Sequence, residues 1–447
     1  MERYGLVNNL LLQLSRSEGA SFGIASSPPA SLDELRAAHD AAFLDAFVSG
    51  SLSPKHQKEI GFPWSTALVE RTLRITGGTL EAARESLRAV SLDRAEAPPS
   101  EDEPERQGPQ RWGAEGNQAG GTHHAFADRG EGFCIVNDAA VAARLALRGL
   151  LAPGPRRGPG EHDSDGPAEP PPAVVRRVLV VDLDVHQGNG TASMLADEPM
   201  ALTLSVHAEN NYPWRTRSPS DVDVGVPDDV GEDEYLDAVR GGLTALERAA
   251  MSALAAPLGS VAGAGPASDA PAPGSAGRDA ARHGGAPLPP GAAGVIPPPS
   301  AAACPHETDL VLFQAGVDPL RQDRLGRLSL SRTAMHRRNQ LVYDWAWERG
   351  LPVVAMMGGG YARPIEASVR AHADVFMQMG GLARRRRDEG RGWSRRLVPG
   401  DDGEMRREAA LQAGPAASPW LGSELRRHAR HTELGRASLL DREGSRS

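Results

Sequence analysis

Short β-branched apolar runs alternate along this chain with longer segments whose apolar positions recur at helical spacing, the pattern of a parallel sheet wrapped by helices. Strands are predicted over 177–185, 200–207, 309–317 and 351–357, and helices over 31–48, 65–89, 137–149, 233–254, 331–349 and 364–379. Ser31 and Ser331 suit N-caps, and Pro364 suits a first helical turn. Each polar cluster of interest follows a strand, and in open α/β sheets ligands bind beyond the carboxyl ends of the strands. No repeat of fixed period is present, which argues against a solenoid.

Three stretches interrupt this order. Residues 255–303 contain 35 Ala, Gly or Pro in 49, without apolar periodicity, so they cannot bury enough surface to offset the entropy of ordering. Residues 151–172, with seven prolines in 22, and a polar stretch over about 95–119 read the same way. The 447 residues therefore describe one catalytic domain over 3–379 with loop insertions, followed by a charged tail over 380–447 predicted to be disordered, rather than three domains. Apolar runs such as 178–181 and 351–357 fall far short of the roughly 18 residues that span a membrane.

Charge and cysteine content narrow the setting. The net charge of −9 leaves no global footprint for nucleic acid, and direct nucleic-acid binding is not expected. Seven arginines fall within thirteen residues at 384–387, 391, 395 and 396; a solvated tail is the main reading, and a nuclear-import or nucleic-acid patch competes with it. Two cysteines, Cys134 and Cys304, cannot build a disulfide framework or a four-thiolate zinc site, and no signal-peptide pattern opens the chain. An intracellular compartment, cytoplasmic or nuclear, is expected, and the sequon Asn189-Gly190-Thr191 reads as a chance match.

Three constellations carry chemistry. Asp182, Asp184 and His186 fall at i, i+2 and i+4, so an extended strand would point all three to one face. Buried acids need a positive partner, and a divalent metal would provide it; Asp and His without thiolate suit zinc or iron. Asp318, at the end of the apolar run 311–317, is the best third ligand, although the triplet alone also reads as a hydrogen-bonded strand terminus. The adjacent His123 and His124, behind Gly120 and Gly121, fit a general base and acid near a metal, or else a surface loop. Gly358–Gly359–Gly360 permits close backbone approach, and Tyr361 after it can donate to a developing oxyanion; a phosphate cradle is disfavoured because no GK[ST] or GxGxxG pattern accompanies it.

Taken in order, GGTHHAFADRGEGFCIVND (120–138), VDLDVHQGNGTA (181–192), QAGVDPL (314–320) and MGGGYAR (357–363) resemble the histone deacetylase superfamily, most closely class IV and related bacterial members. The resemblance implies a three-layer arginase/deacetylase α/β fold, with one zinc held by Asp184, His186 and Asp318. It implies that His123 and His124 flank the attacking water, that Asp182 orients His123, and that Tyr361 hydrogen-bonds the scissile carbonyl. Gly132 and Phe133 would line a tunnel for the acyl-lysine stem. A structural potassium ion would use Asp182, Ser205 and main-chain carbonyls of Asp184, His186 and Val206.

Two departures stand out. Asn189 occupies the position where some family classes orient the second histidine with an aspartate; an amide adds no negative charge, so His124 has less reason to stay protonated and the pH profile should shift. The family also has an early strand ahead of the start of this chain, which implies a weakened sheet edge or an incomplete reading of the gene. The function implied is zinc-dependent deacylation of lysine side chains in proteins or peptides, with chromatin or corepressor association and no membrane partner. An acetylpolyamine or small-amide deacetylase is the first rival: an acidic rim would favour such cations, and Glu209, Asp221 and Asp223 near the expected entrance read equally as that rim or as solvated surface acids. A silent acyl-lysine-binding scaffold is the second. Residues 61–64 (GFPW) read either as a tunnel-mouth loop or as a buried aromatic turn.

Overall fold

The computed structural model describes residues 2–17, 23–96, 113–151, 173–255 and 307–389. In chain order these form α1 (Glu2–Ser17), α2 (Leu32–Leu35), α3 (Ala41–Ser49), α4 (Pro54–Ile60), α5 (Thr66–Glu96), β1 (Ala114–Asn117), α6 (Asp138–Leu147), β2 (Val174–Asp182), α7 (Asn189–Leu195) and β3 (Ala201–Ala208). Then follow β4 (Val222–Val226), α8 (Glu232–Ala255), β5 (Glu307–Gln314), α9 (Arg332–Glu348), β6 (Val353–Met356) and α10 (Ile365–Glu389). The strands make one six-stranded sheet in the order β1-β6-β5-β2-β3-β4, every neighbouring pair parallel.

Strand periodicity divides the core. Val178, Val180, Leu310, Leu312, Val354 and Met356 face a layer built from α2, α3, α5 and α6. Their sequence neighbours Leu179, Val181, Val311, Phe313, Val353 and Ala355 face α1, α8, α9 and α10. Burial on both faces explains why these strands are apolar throughout rather than alternating with polar residues. This is the three-layer architecture expected, and the central ladder pairs Asp182 with both Gln314 and Ser205, aligning the ends from which the polar loops leave.

Several boundaries differ from the expectation. The 31–48 helix is two helices, because Asp40 is extended and its N–H donates to the Ala127 carbonyl at 2.9 Å, a tertiary contact invisible to periodicity. Strand β2 ends at Asp182, so Asp184 and His186 sit on the turn after the strand rather than on its face. Both ends of the expected interruption over 95–119 are ordered: α5 continues to Glu96, and Ala114–Asn117 is the edge strand β1, which lacks an apolar pattern because its backbone ladder to β6 places it, while residues 97–112 lie outside the described residues. Likewise α10 runs to Glu389, past the expected domain end at 379, and β4, α1, α4 and α7 are additional elements. Residues 152–172, 256–303 and the arginines at 391, 395 and 396 lie outside the described residues, as does Cys304. Among the described residues no helix is long and apolar enough to cross a membrane.

Candidate active site

The histidine pair is placed by a buried acid. Asp138, in the first turn of α6, accepts from the backbone N–H of Gly121 and Thr122 at 3.0 and 2.8 Å and from the Thr122 hydroxyl at 2.7 Å. Asn137 caps α6 through Ala140 N–H and donates to the Ala125 carbonyl at 3.2 Å. The loop so clamped stacks His123 and His124 with ring centroids 4.0 Å apart. His123 Nδ1 lies 2.7 Å from Asp182 Oδ2, and His124 Nδ1 lies 2.7 Å from Asn189 Oδ1. Both rings are buried; burial of Asn189 also removes the sequon from any surface.

Burial opposes charge on both rings, but the outcomes diverge. The carboxylates of Asp182 and Asp184 outweigh desolvation at His123 and push its pKa up to about 9. At His124 desolvation is reinforced by His123 and His186, and the pKa falls well below the ordinary value despite the Asn189 hydrogen bond. Asp182 itself is held above the usual carboxylate range by burial and by Asp184, against the pull of His123.

Asp184, His186 and Asp318 converge from two strand ends, each offering a ligand atom within 4.8 Å of the others. Asp318 Oδ1 accepts from Val185 N–H at 2.9 Å, and Asp184 Oδ2 accepts from Gly359 N–H at 2.9 Å. His186 Nδ1 faces Asp184 Oδ1 at 3.0 Å and Asp318 Oδ2 at 3.3 Å. The cluster fits a divalent ion on two further observations. Buried Asp318 Oδ2 has no hydrogen-bond partner beyond the 3.3 Å approach of His186 Nδ1, and a Cβ at Gly359 would come within 2.2 Å of it and 2.8 Å of Asp184 Oδ2, so only glycine leaves that space open. Without an ion a proton takes its place: burial works against it, yet the two carboxylates push His186 up to about 10. Burial and the Asp184 charge raise Asp318 to about 7. For the monovalent site, Asp182 Oδ1 accepts from Asp184 N–H and Ser205 Oγ lies 3.1 Å from His207 Nδ1, so neither atom is left without a partner.

Beneath the cluster Arg338 is wholly buried on α9 and donates to the carbonyls of Leu183 and Gly316 at 3.0 and 2.6 Å, pinning the turns that carry the ligands. Arg3 of α1 donates to the carbonyls of Gly360 and Gly358 and lies 5.5 Å from the Tyr361 ring centroid. Burial keeps the Tyr361 phenol protonated, with its pKa pushed above the ordinary value. Neither arginine stands out in the sequence, because nothing local marks a helix residue as aimed at a loop far away in the chain; Asp138 was legible only as part of its motif.

A cavity of about 800 Å³ joins these groups, lined by His123, His124, Asp184, His186, Asp318 and Tyr361. Its wall includes Gly132, where an added Cβ would stand 2.9 Å from His124 and 3.0 Å from the Tyr212 hydroxyl, and Phe133, which is half exposed with φ at +66°. Such a φ costs a bulky residue energy and recurs at functional sites. Phe62 of the 61–64 segment lines the cavity and packs on Phe133 at 5.2 Å, whereas Trp64 turns away to bond the Phe47 carbonyl at 2.7 Å. The expected acidic rim does not form. Glu209, Asp221 and Asp223 do not line the cavity; Asp221 accepts from Thr203 and Asp223 from Gln187, because both are consumed in holding β4 and its neighbours. Among the described residues, the charged lining outside the metal cluster is Arg3, Arg71, Arg324 and Arg363 with Glu2.

Comparison with known proteins agrees with this architecture. The Histone deacetylase domain family matches residues 1–151, 172–254 and 298–376. An uncharacterized protein of Picosynechococcus is 31% identical over 340 residues, covering 76% of this chain and 79% of that protein. Histone deacetylase 2 of Arabidopsis thaliana is 25% identical over 260 residues, 58% of this chain but 46% of the relative's own length. The crystal structure of a histone deacetylase homologue from Aquifex aeolicus superposes with a TM-score of 0.52 at 19% identity, covering 83% of this chain and 77% of that one, and so shares the fold. With most of the chain matched and the parallel sheet in place, the protein belongs to the histone deacetylase family of hydrolases.

Proposed function

We propose that the chain is a zinc-dependent hydrolase that removes acyl groups from lysine side chains of proteins or peptides. The observation that carries this reading is the buried Asp184–His186–Asp318 cluster sharing one cavity with His123, His124 and Tyr361. Zinc held by Asp184, His186 and Asp318 would supply Lewis-acid polarisation and acidify a water. The remaining steps fall to the protein. His124, neutral because it is buried beside two other imidazoles, takes the water's proton through Nε2, since Nδ1 is engaged by Asn189. His123, favoured as imidazolium by Asp182 and Asp184, returns a proton to the leaving lysine amine. Tyr361 keeps its proton and donates to the oxyanion.

The arginine-rich lining favours this over an acetylpolyamine substrate, whose free ammonium groups would meet Arg3, Arg71, Arg324 and Arg363 rather than an acidic rim. A lysine acylated at its amine brings no charge into the tunnel. The test is hydrolysis of lysine peptides bearing acetyl to long fatty acyl groups, with acetylated polyamines alongside and Asp318→Ala as the blank. Peptide turnover that vanishes in the blank supports the proposal. Turnover confined to polyamines overturns the substrate class, and zinc binding without any turnover makes the protein a scaffold.

A further inference from the structure

Asn189 poses a question that an aspartate would not. A carboxylate can only accept, but an amide turned round would offer His124 a donor instead, reversing the tautomer the ring must adopt. The far side of the amide decides. Asn189 Nδ2 donates to the Thr216 carbonyl at 3.0 Å and to Thr216 Oγ1 at 3.1 Å. The Thr216 hydroxyl in turn donates to Glu131 Oε1 at 2.6 Å, and the Tyr212 phenol donates to the same oxygen. Burial, followed by the Glu131 carboxylate, raises the Tyr212 pKa and keeps that proton in place.

Two acceptors on Thr216 set the directions: its carbonyl, which can only accept from Asn189 Nδ2, and its hydroxyl, whose own proton is taken by Glu131. As a carboxylate Glu131 offers only acceptors, so the Thr216 hydroxyl spends its proton on Glu131 and keeps lone pairs for Asn189 Nδ2. Asn189 Oδ1 then faces His124, whose Nδ1 must carry hydrogen and whose Nε2 is left as the lone pair. Glu131 is held firmly enough to act as the anchor, because its N–H and carbonyl both pair with Cys134 at 2.9 Å. Glu131 Oε1 lies only 3.5 Å from Asn189 Nδ2. The negative charge that Asn189 lacks is therefore present, one hydroxyl removed.

We propose that Glu131 is a positioning residue: by anchoring the Thr216 hydroxyl it holds Thr216 so that its carbonyl and hydroxyl oxygens both accept from Asn189 Nδ2, which keeps Asn189 Oδ1 on His124 Nδ1 and the Nε2 lone pair of His124 available as the base. This inference rests on the deacylase reading for its catalytic consequence, but not for its structural one. The experiment compares Glu131→Gln, Thr216→Val and Thr216→Ser in the full chain. Kinetics use an acetyl-lysine peptide, and ¹⁵N spectra of labelled histidines report the His124 tautomer, its signal identified by its loss in His124→Gln. Glu131→Gln and Thr216→Val should each lower kcat by about tenfold with KM and zinc affinity unchanged, and should mix or reverse the Nδ1–H tautomer of His124. Thr216→Ser should restore both. An unchanged tautomer in Glu131→Gln and Thr216→Val overturns the proposal, whatever happens to kcat. A tautomer that responds as expected in a protein with no deacylase activity would keep the relay and reject the reading on which its catalytic role rests.

Discussion

At the scale of single residues, the site is a set of groups held in charge states they would not choose alone. Asp184 is buried, which disfavours its charge, yet the facing His123 and His186 hold its pKa well below the usual range. Without a metal, His186, with its pKa up to about 10, holds a proton that an ion must displace, and Asp318, at about 7, holds one on the acid side, so affinity should depend on pH. Between pH 6.5 and 8.5 the apparent Kd for zinc should fall as pH rises, by up to about tenfold per unit for each proton released. Calorimetry in buffers of different ionisation enthalpy should count at least one proton released per zinc; none released would mean the ligands are already deprotonated. Tyr361 is the reverse case, a group that must keep its proton. Tyr361→Phe should bind zinc as tightly as the parent and lose on the order of 10²–10³ in kcat, the loss expected for a removed oxyanion donor. Full activity of that variant on acetyl-lysine peptides would remove Tyr361 from the chemistry.

At the scale of elements, strand ends deliver ligands and helices lock them. β2 and β5 end in register, Asp182 opposite Gln314, and the turns beyond them bring Asp184 and His186 to Asp318. α9 supplies Arg338 from below, and α1 supplies Arg3 to the glycine loop before Tyr361. Arg338→Met keeps the bulk but leaves the buried carbonyls of Leu183 and Gly316 without their donor. At about 1–3 kcal/mol for each stranded group, the variant should lose on the order of 3 kcal/mol of stability and bind zinc more weakly. Denaturant unfolding and a zinc titration check this together; an unchanged midpoint would mean that relief of the buried charge offsets both lost bonds.

For the whole molecule, the polar interior sets a dependence on acid. His39 is buried and accepts a hydrogen bond from Asn137 N–H, and burial lowers its pKa to about 4. The unfolded chain binds that proton near pH 6.5, so the stabilisation is complete above about 6.5 and is lost as pH falls toward about 4. The contribution amounts to at most ~3 kcal/mol. His124 and His372, also buried and lowered, act with the same sign. His39→Gln retains an acceptor for Asn137 but cannot titrate. Its unfolding free energy should decline less steeply than the parent's between pH 6.5 and 4, and parallel curves would show that His39 is not buried as a neutral ring.

Much of this protein could be read in one dimension. Short continuous apolar runs placed the four central strands, and apolar positions at helical spacing placed the covering helices, because burial on both sheet faces leaves a local signature. Asp184, His186, Asp318, the His123–His124 pair and Tyr361 could be singled out as candidates because each sits in a short local motif. The edge strand β1 was not legible, since its order comes from a neighbour's backbone rather than from its own side chains; β4 was not either, for although Val222, Val224 and Val226 alternate toward the core, the strand is only five residues long. Nor were Arg3, Arg338 or the chain from Glu131 through Thr216 to Asn189, whose partners are dozens to hundreds of residues away. The acidic rim failed for the same reason: composition supplied the carboxylates, but only packing decided that Asp221 and Asp223 bond to Thr203 and Gln187 instead of lining the cavity. The sequence by itself determined the layers and which side chains were candidates for the site; the tertiary structure decided that they share one cavity, and with what charge states and orientations, because these depend on burial and on partners brought together by folding.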